Sequence, residues 1–340
     1  MSIGHPNSRW LLADIGGTNA RFAIAEAPGA DPSQEKVLAC ADYPTLVDAI
    51  RTYLAGVEGE WPRCAAMAIA TPVFRDWVKM TNHHWAFSIE QTRQALELEC
   101  LKMVNDFTAQ AMAVRHLNES ELRPLGGGEK AEDAPIAVLG PGTGLGVSGL
   151  IPTGTGDWIP LQTEGGHASF SPVTDREIAV FQVLRKRYPH VSVERILSGS
   201  GLTNLYHGIA RVDDQHDEQL SPPEIVRRAQ DGSCSTCREA VAMFVDILGN
   251  VTGNLILTLG ARGGFFICGG IPPKLGSLFD IERFRQRLED HGRFKDYLRE
   301  VPGHLVLAKH PALLGLSRGM AHETGAMRNR IPRAAGDLII

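Results

Sequence analysis

Two stretches of the chain leave an apolar, strand-length run, break into glycines and a threonine, and return to a second apolar run. The first is Leu11-Leu12-Ala13-Asp14-Ile15-Gly16-Gly17-Thr18-Asn19-Ala20-Arg21, continuing to Ala25. The second is Ile136-Ala137-Val138-Leu139-Gly140-Pro141-Gly142-Thr143-Gly144-Leu145-Gly146, continuing to Ile151. Each reads as a β-hairpin with a glycine-rich tip. Glycines let main-chain N–H groups approach an anion, the threonine hydroxyl adds a donor, and Asp14 ends its strand where a carboxylate can hold a metal ion. Two such tips suit the phosphates of a nucleotide gripped by two halves of a protein. The second loop gains its weight from the first, because glycine-rich hairpins also occur without ligands.

With 340 residues there is room for two domains of about 100–200 residues each. The first segment reads as strands over 10–14, 21–25, 36–43, 65–70 and 101–104, with helices over 46–54, 89–98 and 108–117. Leu46, Val47, Ile50, Tyr53 and Leu54 recur at helical spacing, and Ser88 with Gln91 forms a capping signal. A polar stretch over 119–135, with three consecutive glycines, is read as the domain boundary. The second segment opens with strands over 136–139, 147–152 and 158–161. Helices follow behind Thr174 with Glu177, and behind Ser221 with Pro222 and Glu224. An apolar pattern over 238–259 predicts one buried helix interrupted by Gly249 and Gly253, and 264–268 a strand ending in Gly269-Gly270. A final helix over 311–322 packs back on the first domain. The expected architecture is α/β, with mixed sheets flanked by helices. Residues 1–118 with a C-terminal helix over about 308–328 form a small domain, and 119–307 a large one.

Composition narrows the function. Charged residues are 21% of the chain and the net charge is −5, which argues against a nucleic-acid or membrane-surface binder. No apolar run approaches spanning length, and residues 1–9 lack a signal peptide's apolar core, so the expected location is the cytoplasm. Cys64, Cys100 and Cys268 lie in or beside apolar runs and read as reduced, partly buried thiols. Cys234 and Cys237 have CxxC spacing, yet a zinc site needs about four ligands and no second pair exists, so no zinc is expected.

Three further constellations carry chemistry. Asn105 and Asp106 follow a strand and precede a helix, where such a pair caps the helix or supplies a general base; both roles are compatible. Glu164-Gly165-Gly166-His167 puts a carboxylate beside an imidazole, which suits vicinal hydroxyls, although Glu-Gly-Gly alone is a turn. Gly269-Gly270-Ile271-Pro272 reads as a βα turn or as a surface on which a flat ring can lie.

Together, Asp14 to Phe22, Val104-Asn105-Asp106-Phe107, Leu139 to Gly146, Glu164 to His167 and Cys268-Gly269-Gly270-Ile271 resemble the bacterial glucokinases, motif by motif and in the same order. That family belongs to the actin, sugar-kinase and Hsp70-like ATPase superfamily, and the resemblance spans Leu11 to about Ala326. It implies a two-domain actin-like ATPase (ribonuclease H-like) fold with an interdomain cleft. The implied reaction is ATP-dependent phosphorylation of glucose at its 6-hydroxyl, with Mg²⁺ on the phosphates, in a homodimer with no nucleic-acid partner. By the same resemblance Asp106 is the catalytic base and, with Asn105, Glu164, His167 and Glu194, binds the sugar. ATP then falls to Asp14, Ile15, Gly16, Gly17, Thr18 and Asn19, to Gly140, Gly142, Thr143 and Gly144, and to Gly269 and Gly270, with Asp14 toward the metal. On spacing alone Glu194 would pass as an exposed helix residue. Thr81-Asn82-His83-His84-Trp85 resembles the family's Thr-Asn-His-Thr-Trp, with His84 the departure. The related ROK kinases carry a zinc-binding cysteine cluster after a Gly-His motif, and no cysteine lies between Cys100 and Cys234 here. ROK repressors add an N-terminal DNA-binding domain, for which about ten residues before the first strand leave no room.

Overall fold

The computed structural model describes residues 8–81 and 83–328, with side chains as far as 319; Asn82 lies outside the described residues. Of these, the residues up to Leu117 and from Lys309 form one compact unit, and Asn118–Ala308 form a second.

The first unit begins β1 (Trp10–Ile15), β2 (Asn19–Ala25) and β3 (Ser33–Ala39), then α1 (Leu46–Leu54) and β4 (Cys64–Ile69). It continues with β5 (Trp77–Lys79), β6 (Ala86–Ser88), α2 (Ile89–Ala95), β7 (Cys100–Asn105) and α3 (Asp106–Ala113). The sheet order is β3-β2-β1-β4-β7, with β1 antiparallel to β2 and β2 to β3, whereas β4 and β7 run parallel to β1; β5 and β6 form a separate hairpin. Period-two alternation loads both faces of the sheet. Leu11, Ala13, Ile15, Phe22 and Met67 pack with Ile50, Tyr53 and Leu54 of α1, while Trp10, Leu12, Ala66 and Ala68 meet Ala109 of α3. Thr45 caps α1 by accepting the Asp48 N–H, and Ser88 caps α2 by accepting that of Gln91.

Several boundaries differ from the sequence expectation by a few residues, and those of β3, α2 and α3 have a local reason. β3 stops at Ala39 because the Cys40 N–H turns to the Thr18 carbonyl at 2.8 Å, and Cys40–Asp42 becomes a 3-10 turn. α2 ends at Ala95 because Glu97 takes φ 54°. α3 starts two residues early, since Asn105 is its cap, and tightens into a 3-10 turn over Val114–His116.

The second unit contains β8 (Leu122–Pro124), β9 (Ile136–Pro141), β10 (Leu145–Pro152), β11 (Trp158–Pro160), α4 (Asp175–Arg187), α5 (Gly199–Val212), α6 (Pro222–Gln230) and α7 (Ser235–Leu259). β12 (Phe265–Ile267), α8 (Pro272–Leu275), α9 (Ile281–Glu289), α10 (Lys295–Arg299) and β13 (Gly303–Val306) complete it. Its sheet order is β11-β10-β9-β12-β13-β8. Apart from β8 this repeats the first unit's pattern, an antiparallel trio followed by two parallel strands. The stretch over 119–135 is therefore more than a boundary, for it supplies β8, which pairs antiparallel with β13. The core gathers Leu202, Leu205 and Ile209 of α5, Phe244, Ile247 and Leu248 of α7, and Phe284 and Leu288 of α9. Finally α11 (Pro311–Arg328) returns to the first unit and lays Ala312, Leu313 and Leu316 on the Trp10 face of its sheet.

α7 runs unbroken through Gly249 and Gly253, and its glycines let α9 approach: a Cβ at 249 would overlap the Phe284 carbonyl, and one at 253 would stand 2.6 Å from the Leu288 carbonyl. α7 is also long and apolar enough to cross a membrane, contrary to the reading of the sequence, but 67% of its most apolar window is buried in the protein, as in a core helix. Cys64 and Cys100 are not separate thiols. They are register partners on β4 and β7 with Cα atoms 4.7 Å apart, a spacing that adjacent strands impose, and their sulfurs are joined as a disulfide.

Candidate functional site

In the first unit, Ile15 pairs with Ala20, so Gly16, Gly17, Thr18 and Asn19 form the tip of the β1–β2 hairpin. The Gly16 N–H donates to the Asn19 carbonyl at 3.0 Å, and Thr18 is exposed. The Ile15 side chain is fully buried, which leaves only its backbone for a ligand. Asp14 and Arg21 face each other across the hairpin, with Arg21 Nη1 donating to Asp14 Oδ2 at 3.4 Å. Burial raises the Asp14 carboxyl, while the positive charges of Arg21 and His310 oppose the shift.

β7 delivers the second acidic group. Asn105 Oδ1 accepts the N–H groups of Phe107 at 2.9 Å and Thr108 at 3.4 Å, which caps α3, and its Nδ2 donates to the Thr71 carbonyl at 3.5 Å. Asp106 is the first residue of α3, and its Oδ1 accepts the Phe107 N–H at 2.8 Å. Its carboxyl is pushed up to about 6, first by burial and then by the negative charge of Asp14, against the lowering effect of the Phe107 N–H and Asn105. Two partly buried carboxylates, at the end of β1 and beyond the end of β7, thus act on one another. Such a pair is a fitting donor set for a hard divalent cation carried mainly by phosphate oxygens and water.

In the second unit, Pro141 pairs with Leu145 and leaves Gly142, Thr143 and Gly144 at the tip. The tip is held from three sides. The Gly142 N–H donates to the Gly144 carbonyl at 2.8 Å, the Gly199 N–H donates to the Gly142 carbonyl at 2.9 Å, and Glu194 Oε2 accepts the Leu145 N–H at 2.9 Å. Glu194 lies in the 3-10 turn Val193–Arg195 and is half-buried, so it is not the exposed helix residue its spacing allowed. Gly165–His167 is another 3-10 turn, packed on β10 so closely that a Cβ on Gly166 would overlap the Leu145 carbonyl. Glu164 and His167 project from that turn, 44% and 60% exposed, with Nε2 of the histidine 3.9 Å from Oε2 of the glutamate. Gly269, at φ 84°, fits against the Pro141 carbonyl where a Cβ would overlap, and the space beside Gly270 is open. The unit therefore brings the Gly140–Gly144 loop, Glu194, the Glu164–His167 turn and Gly269 together around the ends of β9 and β10.

Sequence reasoning gave no role to Arg21, His310, Thr71 or Gly199. Arg21 was legible, because a four-residue tip after Ile15 makes it the partner of Asp14; the other three come from remote segments. In the loop after β5, Trp85 Nε1–H donates to the Tyr43 carbonyl at 3.1 Å and His84 Nε2 stands 3.2 Å from the Pro44 carbonyl, which ties this segment to the lead-in of α1.

The fold is shared with a crystallised glucokinase from an Antarctic psychrotroph, 36% identical, with a TM-score of 0.84 over 92% of this chain and 98% of that one. The sequence profile of the family Glucokinase matches residues 11–323. Glucokinase of Campylobacter jejuni subsp. doylei is 50% identical over 307 residues, 90% of this chain and 92% of the relative. Glucokinase of Neisseria meningitidis serogroup C is 47% identical over 317 residues, 93% of this chain and 95% of the relative. The chain belongs to the glucokinase family.

Proposed function

We propose that this protein transfers the γ-phosphoryl group of ATP to the 6-hydroxyl of D-glucose, giving glucose 6-phosphate and ADP. The observation that carries the mechanism is Asp106, a carboxylate held at the β7–α3 junction with its titration raised to about 6. At neutral pH it is ionised, yet it is a stronger proton acceptor than an ordinary carboxylate. As the 6-oxygen bonds to phosphorus and the bond from phosphorus to the ADP oxygen breaks, Asp106 takes the hydroxyl proton. Asn105, Glu164, His167 and Glu194 hydrogen-bond the sugar's other hydroxyls, and a set of that size rejects analogues that lack one of them.

The glycine tips supply backbone donors to the phosphates: Gly16, Gly17, Thr18 and Asn19 from one hairpin, Gly140, Gly142, Thr143 and Gly144 from the other. Gly269 and Gly270 form the open turn for the adenosine end. Asp14 is the residue to hold Mg²⁺, which when bound neutralises phosphate charge; Arg21 keeps that carboxylate in place. On this reading the two units are the domains of an actin-like ATPase, and the protein is a cytoplasmic homodimer.

The test is ADP release, coupled to a spectrophotometric readout, with ATP and each of glucose, mannose, fructose, N-acetylglucosamine and N-acetylmannosamine. Glucose should give the highest kcat/KM, with hexose 6-phosphate formed in equal amount to ADP. Sugar-independent ADP release, or a preference for an N-acetylated sugar, would overturn the assignment.

A further inference from the structure

Cys234 and Cys237 take no part in phosphoryl transfer, and the structure gives them a defined setting at the first turn of α7, a helix of 25 residues. Cys234 is the N-cap, and its Sγ accepts the Cys237 N–H at 3.2 Å, the position usually held by a hydroxyl or carboxylate oxygen. Thr174, Ser198, Ser221 and Asp280 do that work with oxygen for α4, α5, α6 and α9. Of the four cysteines outside the Cys64–Cys100 disulfide, Cys40, Cys237 and Cys268 are buried and Cys234 alone reaches solvent in part.

The two thiols are therefore unequal. Cys234 is partly exposed at the start of α7 and open to a small molecule, whereas Cys237 is buried behind it. Burial pushes the Cys237 thiol up to about 12, and the hydrogen bond to Cys234 and that sulfur's charge add to the effect. Glu218 and, on α6, Arg228 are the charged groups that act on Cys237, the two cysteines in turn help raise the Tyr206 hydroxyl of α5, and the guanidinium of Arg228 is itself held by Glu218 and Glu224. The Cys234 sulfur already stands 3.2 Å from the Cys237 backbone nitrogen, so the first turn holds the two cysteines side by side.

We propose that Cys234 and Cys237 form a thiol–disulfide exchange site for small-molecule disulfides, with Cys234 attacking and Cys237 resolving. The Cys234 thiolate attacks one sulfur of the disulfide R–S–S–R, forming a mixed disulfide and expelling R–S⁻. Cys237 then gives up its proton to solvent and attacks the Cys234 sulfur, expelling the second R–S⁻. The protein is oxidised by two electrons, and the small disulfide is reduced to two thiols.

The experiment incubates the full-length protein, and its C234S and C237S variants, with glutathione disulfide, blocks residual thiols with iodoacetamide, and reads the tryptic peptide 229–238 by mass spectrometry. Serine at 234 preserves an N-cap acceptor, so that variant keeps the helix start. The expected wild-type product is the internal disulfide, about 2 Da lighter than the dithiol peptide. C237S should retain one glutathionyl group on Cys234, and C234S should show Cys237 unmodified by glutathione. Free thiols at both positions of the wild type, an unreactive Cys234 in C237S, or a wild-type mixed disulfide that persists with Cys237 free would each overturn the proposal.

Discussion

Glu194 Oε2 accepts the backbone N–H of Leu145 at 2.9 Å, so the carboxylate assigned to the sugar also fixes the loop assigned to phosphate. E194A removes both interactions, and losing a hydrogen bond to a charged group costs about 1.5–3 kcal/mol. Steady-state kinetics should show KM rising roughly tenfold or more for glucose and for ATP together. E194Q keeps an oxygen for the Leu145 N–H and should raise KM for glucose while leaving that for ATP within about threefold. An E194A enzyme altered toward glucose alone would show that the loop does not depend on this bond.

Asp106 should trade stability for activity. Its carboxyl titrates at about 6 in the folded chain against 3.8 as a free group, so folding takes up a proton between those values. Stability is therefore greatest below the lower value, falls as pH rises through 6, and stays reduced above it. D106N removes the buried charge, and thermal or urea unfolding at pH 7.5 should show a gain of about 1–2 kcal/mol. The same gain should vanish near pH 4. A variant less stable than the parent at pH 7.5 would contradict the raised titration.

The same group predicts the acid limb of the activity profile. Only ionised Asp106 accepts a proton, so kcat/KM for glucose should fall below an apparent value of about 6. Because the charge of Asp14 helps hold that titration up, the residual activity of D14N should fall off at a lower pH than the parent's. A pH-independent kcat/KM between 5 and 7 would remove Asp106 from the role of base.

The glycines of the second unit divide into tolerant and intolerant positions. An alanine at 142 meets nothing within 4 Å, whereas one at 166 collides with the Leu145 carbonyl and one at 269 combines a collision with φ 84°. G142A should unfold within about 1 kcal/mol of the parent. G166A and G269A should lose about 2–4 kcal/mol, with G166A also raising KM for glucose through the displaced Glu164–His167 turn. Equal stability of all three would mean that the turn and the strand ends are not packed as described.

What the sequence disclosed was local. Ser88, Thr174 and Ser221 sit at the helix starts their capping signals indicate, and both hairpins close at their glycines, because a cap or a tight turn is decided by a few neighbouring residues. Asn105 shows the same legibility in the site, where its cap geometry also orients Asp106. Misreadings arose where the partner is distant. Gly249 and Gly253 looked like breaks because α9, which needs their missing side chains, arrives some thirty residues later. The polar 119–135 stretch concealed β8, whose pairing strand β13 lies near the far end of the unit. Cys64 and Cys100 became partners only through the β4–β7 register, and His310 reaches Asp14 from the start of the last helix.

The most direct test of the account compares wild type and D106N in two measurements, ADP release with ATP and glucose, and glucose affinity by titration calorimetry. Asn is nearly isosteric with Asp and keeps hydrogen bonding but cannot take the proton. D106N should lose turnover by a factor of about 10²–10⁴, the usual worth of a positioned base, while its glucose Kd stays within about threefold of the parent's. Undiminished turnover in D106N would contradict the assignment of Asp106 and, with it, the mechanism.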